Sequence, residues 1–267
     1  MRLADFFATH PVFTTEELTV FLARRDSRSP WTRKALLAHH EKQGRLLRVR
    51  RGLYCVVPAG ANPATCSVDA YLLASKMADD AVLAYHTALE FHGKAYSVFE
   101  ELQYLTGRAA RPVTFRSHRF RPVRFPKKLK TQGQQLFGVK ELDRAGIPVR
   151  VTSLERTLVD MLDRPDLGGG WEEMWRSLEG IEFFDLDVIV QYTLLLDNAT
   201  TAAKVGFYLE QHKDRLMVDE NRLEQLRARR PRKPHYLERT RRGGRLVSNW
   251  NLVVPVSVLE RSWTEVA

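Results

Sequence analysis

Two nearly consecutive segments decide the fold of this chain: Ser29-Pro-Trp-Thr-Arg-Lys-Ala-Leu-Leu37 and Gly44-Arg-Leu-Leu-Arg-Val-Arg-Arg-Gly-Leu-Tyr54. In the first, Ser29 can accept a hydrogen bond from the free amides of a helical first turn, and Pro30 suits the position that follows. In the second, two runs with strand-like spacing flank Arg50-Arg51. The segments therefore predict a helix that begins near Pro30, followed by a basic β-hairpin.

A shorter helix is predicted just upstream. Thr14-Thr-Glu-Glu17 has the spacing of a capping box, in which two side chains each bond the other residue's amide. Leu18, Phe21 and Leu22 follow on one helical face. Residues 24–28 then have the length and polarity of a tight turn between helices. Two helices, a turn and a hairpin predict a winged helix-turn-helix, in which the hairpin is the wing.

The charge of this region indicates its partner. Residues 1–57 carry a net charge of +6, concentrated on the helix after Pro30 and on the wing. A surface that needs only to be soluble usually mixes both signs, whereas a face of one sign matches the phosphates of DNA. Double-stranded DNA is therefore the predicted partner. The alternative is a small helical domain with a solvated charged face.

The side of the helix that faces DNA depends on which residues anchor it. If Leu36, Leu37 and His40 point into the core, the DNA face contains Trp31, Lys34, Ala35, Ala38 and Lys42. If Trp31, Ala35 and Ala38 are buried instead, Arg33 points outward. We favour the first arrangement because it buries the leucines. Since such helices contact bases with their first turn, the predicted DNA-binding residues are Ser29, Trp31, Thr32, Arg33, Lys34 and, on the wing, Arg48, Arg50 and Arg51.

A linker predicts two domains. Residues 57–63 have the Pro, Gly and Ala content of a linker, which places a DNA-binding domain at residues 1–62 and a larger domain at residues 63–267. The larger domain mixes helical and strand patterns, so the predicted fold class is α+β. Its predicted helices span residues 67–77, 82–92 (capped by Gly93), 186–196, 201–212 and 219–229, with one more between a capping box at Thr152-Ser-Leu-Glu155 and Pro165. Its predicted strands span residues 103–106, 113–116, 123–125 and 149–152, with a terminal hairpin of residues 235–238 and 245–250.

Charge alternates in blocks along the larger domain. Residues 58–107 and 131–226 carry net charges of −4 and −8, whereas residues 108–130 and 227–245 carry +9 and +8. Such blocks favour localised contact surfaces. A second surface for a nucleic acid or another partner is predicted at Arg116, Arg119, Arg121, Arg124, Lys127 and Lys128, although this basic run could equally be a local feature. The role of residues 227–245 stays open.

Signatures of enzymes and metal sites are weak. Cys55 and Cys66 lack the paired spacing of a zinc site or a disulfide framework. Asp185 and Asp187 have the spacing of a magnesium-binding pair, but they open a helix, where acidic residues are common. No catalytic residue, metal or cofactor is therefore predicted. No long apolar segment or signal peptide is present, which predicts a cytoplasmic protein without a membrane partner.

Three segments resemble successive blocks of the AbiEi-type antitoxins, which are transcriptional regulators of type IV toxin-antitoxin and abortive-infection systems. They are the hairpin at residues 44–54, Ala84-Tyr-His-Thr-Ala-Leu-Glu-Phe-His-Gly93 and Val151-Thr-Ser-Leu-Glu-Arg-Thr-Leu-Val-Asp160. Their order and spacing match over roughly residues 1–165. Beyond about residue 170 the likeness is looser, with Lys204-Val-Gly206 and Asn249-Trp-Asn251 as echoes.

The resemblance implies two activities. The winged helix would bind inverted repeats in its own promoter, with Thr32, Arg33 and Lys34 on the bases and Arg48, Arg50 and Arg51 on the wing. The C-terminal domain would neutralise a cognate nucleotidyltransferase toxin, without the need for a tight complex, and no catalytic residue transfers. Two alternatives stay open: a stand-alone transcription factor whose larger domain senses a ligand or oligomerises, and a nucleic-acid enzyme with a dispersed active site.

Overall fold

The computed structural model describes residues 3–23, 30–238 and 244–261, apart from the side chains of Pro30 and Trp31. The N-terminal elements follow the order of a winged helix-turn-helix. They are α1 (Leu3–Thr9), β1 (Val12–Thr14), α2 (Thr15–Ala23), α3 (Pro30–Lys42), β2 (Leu46–Arg50) and β3 (Leu53–Val56). The strands form one sheet in the order β1-β3-β2, and the wing turns at Arg51-Gly52. The predicted winged helix is confirmed.

Short-range signals place these elements. The amide of Thr14 donates to Glu17 Oε2 at 2.7 Å, and the amide of Glu17 donates to Thr14 Oγ1 at 3.2 Å. This is the reciprocal capping box that the sequence predicts. The helices and the sheet then bury one apolar cluster, which contains Phe6, Phe13, Leu18, Leu22, Leu37, Leu46 and Tyr54.

The middle of the chain forms a six-stranded sheet in the order β6-β7-β5-β4-β9-β8. Its strands and the helices between them are α4 (Ala70–Ser75), β4 (Val82–Leu83), α5 (His86–Phe91), β5 (Glu101–Thr106), β6 (Val113–Phe115), β7 (His118–Arg124), α6 (Lys127–Thr131), β8 (Val139–Arg144) and β9 (Ile147–Thr152). The helix predicted at residues 82–92 is wrong in its first half. Val82 and Leu83 pair with β5, and Tyr85, with a φ of 57°, separates the strand from α5.

The C-terminal part is mainly helical. Its elements are α7 (Leu154–Asp163), a 3-10 turn (Pro165–Leu167), α8 (Trp171–Glu179), α9 (Leu186–Leu196), α10 (Ala199–Gln211), α11 (Lys213–Leu216), α12 (Glu220–Arg227), β10 (His235–Tyr236), β11 (Arg245–Val247), β12 (Leu252–Val254) and α13 (Val256–Leu259). The predicted pairing of β10 with β11 is wrong, because both strands flank β12. The capping box predicted from Thr152 is displaced by one residue, because Ser153 caps α7 and accepts from the amide of Arg156.

The chain divides into two compact units. The first contains residues 1–83, 100–122 and 141–150, and the second contains residues 84–99, 123–140 and 151–267. In the second unit, the ring of Trp250 packs so closely on α10 that a Cβ added to Gly206 would lie 2.2 Å from it. The winged helix shares the first unit with later segments of the chain. The domain boundary at residue 62 stays a prediction about independent folding.

No helix among the described residues is long and apolar enough to cross a membrane. The mixed α and β architecture, with a winged helix-turn-helix ahead of a larger part, agrees with the predicted fold class.

Candidate nucleic-acid interface

The orientation of α3 follows from its leucines. Leu37 is 5% exposed and belongs to the apolar cluster, and Leu36 packs against the same cluster. His40 is half-buried with its ring edge-to-face against Phe7, at 5.2 Å between centroids, and burial lowers its pKa. The opposite side exposes Lys34, Ala35, Ala38 and Lys42. The structure therefore agrees with the favoured arrangement, in which the leucines anchor the helix.

The first turn of α3 holds two of the predicted base-contacting residues in the open. Thr32 and Lys34 are exposed. Arg33 is half-buried, and its Nη1 donates to Thr19 Oγ1 on α2 at 2.5 Å, so this contact links the two helices of the motif. Ser29 lies outside the described residues, as does the side chain of Trp31.

The three arginines of the wing differ in their surroundings. Arg48 and Arg51 are exposed. Arg50 instead donates from Nη2 to the carbonyl oxygen of Met77 at 2.9 Å and from Nη1 to that of Arg51 at 3.0 Å. Its guanidinium is therefore engaged with the protein, which differs from the expected phosphate contact. The sequence could not show this because Met77 lies far along the chain.

A groove connects the helix and the wing. Arg33, Lys34, Arg48 and Arg51 line it together with Glu16 from the first turn of α2, and the other lining residues are Thr15, Leu37, Gly52 and Tyr54. Four cations against one carboxylate give the groove a positive charge. Since guanidinium and ammonium groups bind phosphate oxygens by charge-assisted hydrogen bonds, this groove can hold the backbone of a nucleic acid beside the first turn of α3.

The residues of the predicted second basic surface are divided between the two units. In the first unit, Arg116 donates to the carbonyl oxygens of Pro63 and Cys66, and Arg121 donates to Glu101 at 3.1 Å. Arg119 is 3.6 Å from the same carboxylate. In the second unit, Lys128 pairs with Asp197 at 2.6 Å, Lys127 is exposed, and Arg124 also has a partner. The arginines of the first unit are thus held by internal partners that precede them in the sequence.

The acidic pair that resembled a metal site has structural partners. Asp185 caps α9 and accepts from the amides of Asp187 and Val188 at 3.1 and 3.2 Å. Asp187 lies 2.7 Å from Arg222. Among the described residues, no group of three or more His, Cys, Asp or Glu side chains could hold a metal ion.

The winged helix matches a known family. Residues 1–57 match the family model described as "Transcriptional regulator, AbiEi antitoxin". The resemblance noted in the sequence is confirmed over this segment, and the match supports a DNA-binding regulator. Over residues 58–165 the resemblance stays a prediction.

A solved structure resembles the whole fold. The crystal structure of the RV2827C protein from Mycobacterium tuberculosis superimposes with a TM-score of 0.62 over 97% of this chain and 92% of that chain, at 18% sequence identity. At this identity the likeness concerns the fold alone. No match was found among the curated proteins.

Proposed function

We propose that this protein is an autoregulatory DNA-binding antitoxin, whose winged helix binds inverted repeats upstream of its own gene and whose larger domain neutralises a nucleotidyltransferase toxin. The observation that carries the DNA-binding part is the groove in which Arg33 and Lys34 of α3 face Arg48 and Arg51 of the wing. Such a protein acts where the chromosome lies, so we place it in the cytoplasm.

The proposed contacts divide into two classes. Lys34 projects from the first turn of α3, the part of a recognition helix that reaches base edges. Arg48 and Arg51 extend from the wing and would neutralise phosphates, which positions the protein without reading the sequence. Arg33 belongs to neither class alone, because it lines the groove and also donates a hydrogen bond to Thr19.

The antitoxin part rests on the family likeness. The matching family model names an AbiEi antitoxin, and the nucleotidyltransferase partner is what the sequence resemblance implies. Neutralisation need not involve a stable complex. A chain with no nucleotidyltransferase gene beside its own would instead act as a stand-alone regulator.

The DNA-binding proposal is tested by titrating the full chain with its upstream duplex and with a scrambled duplex of equal length. Lys34→Ala should cost about 1 to 3 kcal/mol on the upstream duplex and little on the scrambled one. Arg51→Ala should weaken both and reduce the slope of log affinity against log salt by about one. Lys140→Ala removes an exposed cation that does not line the groove and serves as the control. Equal affinity of the wild-type protein for both duplexes would contradict a specific operator.

A further inference from the structure

The basic segment of residues 229–235 belongs to the second unit and lies beside the turn between α9 and α10. The Lys128 ammonium group holds the pKa of Asp197, the C-cap of α9, below its ordinary value, and the charge of Arg229 at the start of the segment acts in the same direction. At its end, His235 Nδ1 lies 3.3 Å from Thr200 Oγ1 in the first turn of α10. The end of the segment thus contacts this turn, and the charge at its start acts on the same turn.

The middle of the segment is fixed to the protein. Pro231 is buried, and its carbonyl oxygen accepts from Asn251 Nδ2 at 2.8 Å. The amide of His235 donates to the carbonyl oxygen of Asn251 at 2.8 Å. These contacts hold the backbone while the side chains of Arg229, Arg232 and Lys233 remain exposed.

The cations of this segment differ from the neighbouring Arg227 in their partners. Arg227 lies 3.0 Å from Glu220 and 3.4 Å from Glu210, and it stacks on Trp250 at 5.2 Å. In the part of the chain that the structure describes, by contrast, no ion pair or side-chain hydrogen bond involves Arg229, Arg230, Arg232 or Lys233. Arg227 is therefore a structural cation, whereas the four cations that follow it are available to a partner.

The short helix α6 extends the same positive surface. Lys128 reaches Asp197 at 2.6 Å, and its neighbour Lys127 is exposed. Asp197 therefore contributes one negative charge beside Lys128, and the charge of Arg229 acts on the same carboxyl. We call Lys127, Lys128, Arg229, Arg230, Arg232 and Lys233 the α9–α10 basic surface.

We propose that the α9–α10 basic surface is a second phosphate-binding surface, and that it contacts the backbone of duplex DNA. Cations that outnumber the neighbouring carboxylates Asp197 and Glu224 match the charge of a phosphate lattice. The choice of DNA rests on the proposed function: a duplex held by the winged helix is tethered to the second unit of the same chain, which gives it a high effective concentration there. These contacts carry no base specificity.

The second surface should make the affinity for DNA depend more strongly on salt concentration. Each phosphate neutralised adds about 0.9 to the slope of log affinity against log salt for duplex DNA. The second surface therefore increases the slope on every duplex by the same amount. It leaves the preference for the operator unchanged.

The test compares two charge-reversal variants of the full chain. Arg232→Glu with Lys233→Glu changes the proposed surface, whereas Arg111→Glu with Lys140→Glu makes the same change of net charge at two exposed cations outside it. Affinity for the upstream duplex and for a scrambled duplex is measured at several salt concentrations. Circular dichroism checks the fold. The milder variant Arg232→Gln with Lys233→Gln removes the two charges without reversing them, and its affinity is measured in the same way.

The surface variant should lose about tenfold or more in affinity for both duplexes at low salt, with a slope smaller by about two. The control should change much less, and the glutamine variant should lie in between. Equal losses in the surface variant and the control would overturn the proposal, as would tighter surface-dependent binding to a structured RNA of the same length. A wild-type protein without operator preference refutes the proposed function instead, and the difference between the variants remains readable.

Discussion

Lys76 donates a hydrogen bond to Glu17, the residue that closes the capping box of α2. One carboxylate oxygen of Glu17 accepts from the amide of Thr14 at 2.7 Å, and the other accepts from the ammonium group of Lys76. Lys76 follows α4 and its side chain is 11% exposed. The supporting helix of the winged helix-turn-helix is therefore stabilised by a residue beyond the predicted boundary at residue 62.

Replacement of this lysine should destabilise the first unit. Lys76→Met keeps much of the aliphatic stem but removes the charge, so we expect the free energy of unfolding to fall by about 1 kcal/mol, at the upper end for partly exposed ion pairs. Urea denaturation measures the change. Lys140→Met removes an exposed lysine without a described partner, and an equal loss in that variant would show that the Glu17 contact contributes nothing.

The arginines of the wing should separate stability from DNA affinity. Arg50→Ala removes hydrogen bonds from a guanidinium to the carbonyl oxygens of Met77 and Arg51, so it should cost roughly 1 to 3 kcal/mol of stability. Arg51→Ala should leave stability within about 0.5 kcal/mol and weaken binding to any duplex. Denaturation and DNA titration on both variants decide this. If Arg51→Ala destabilised the protein more than Arg50→Ala, the assignment of the two roles would be wrong.

The elements that the sequence predicts best depend on contacts between near neighbours. The capping box at Thr14 and Glu17, the leucine face of α3 and the wing each involve residues a few positions apart or a two-strand hairpin. Local spacing carries this information directly. The same holds for α9 and for the cap at Gly93, whose φ is 66°.

What the sequence could not show depends on distant partners. β10 and β11 have the pattern of a hairpin, but each pairs with β12, because strand pairing is settled by tertiary contacts. In β8 (Val139–Arg144) the alternation between more and less exposed side chains is weak, and the sequence does not predict this strand. In the sequence, Arg33 and Arg50 look as available to DNA as Lys34 and Arg51. Only the fold shows that Arg33 donates to Thr19 and that Arg50 donates to the carbonyl oxygen of Met77.

Stability should fall on acidification because of His212. Burial of its ring among Trp175 and Tyr208 lowers its pKa to about 4. The folded pKa lies below the unfolded value of about 6.5, so protons bind the unfolded state more tightly in this range. The contribution of His212 is fully present above about pH 6.5 and is lost as the pH falls toward 4.

Urea denaturation at pH 7.5 and pH 5 should therefore differ by about 2 kcal/mol through this residue. His212→Phe keeps the aromatic packing and cannot titrate, so it should show a smaller difference. Part of the pH dependence of stability should remain in this variant, because burial also lowers the pKa values of His40 and His92. An unchanged pH difference in His212→Phe would show that His212 does not cause it.

The two proposed activities should be separable by point substitution. Deletion of residues 1–62 is expected to abolish operator binding and leave neutralisation, but it also removes Glu17 and Arg50, which contact Lys76 and Met77. A loss of protection in that fragment could then reflect misfolding. Lys34→Glu with Arg51→Glu is cleaner, because both side chains are exposed in the groove and the protein's internal contacts remain.

This double variant should lose operator binding, since two phosphate- or base-contacting cations become repulsive, and it should still restore growth to cells that express the neighbouring nucleotidyltransferase. Expression of both proteins from constant promoters removes the effect of autoregulation on their levels. Lys140→Glu with Arg111→Glu, matched in charge, should retain both activities. If the groove variant were folded by circular dichroism but failed to restore growth while the matched control succeeded, protection would require the groove itself, and neutralisation by the larger domain alone would be contradicted.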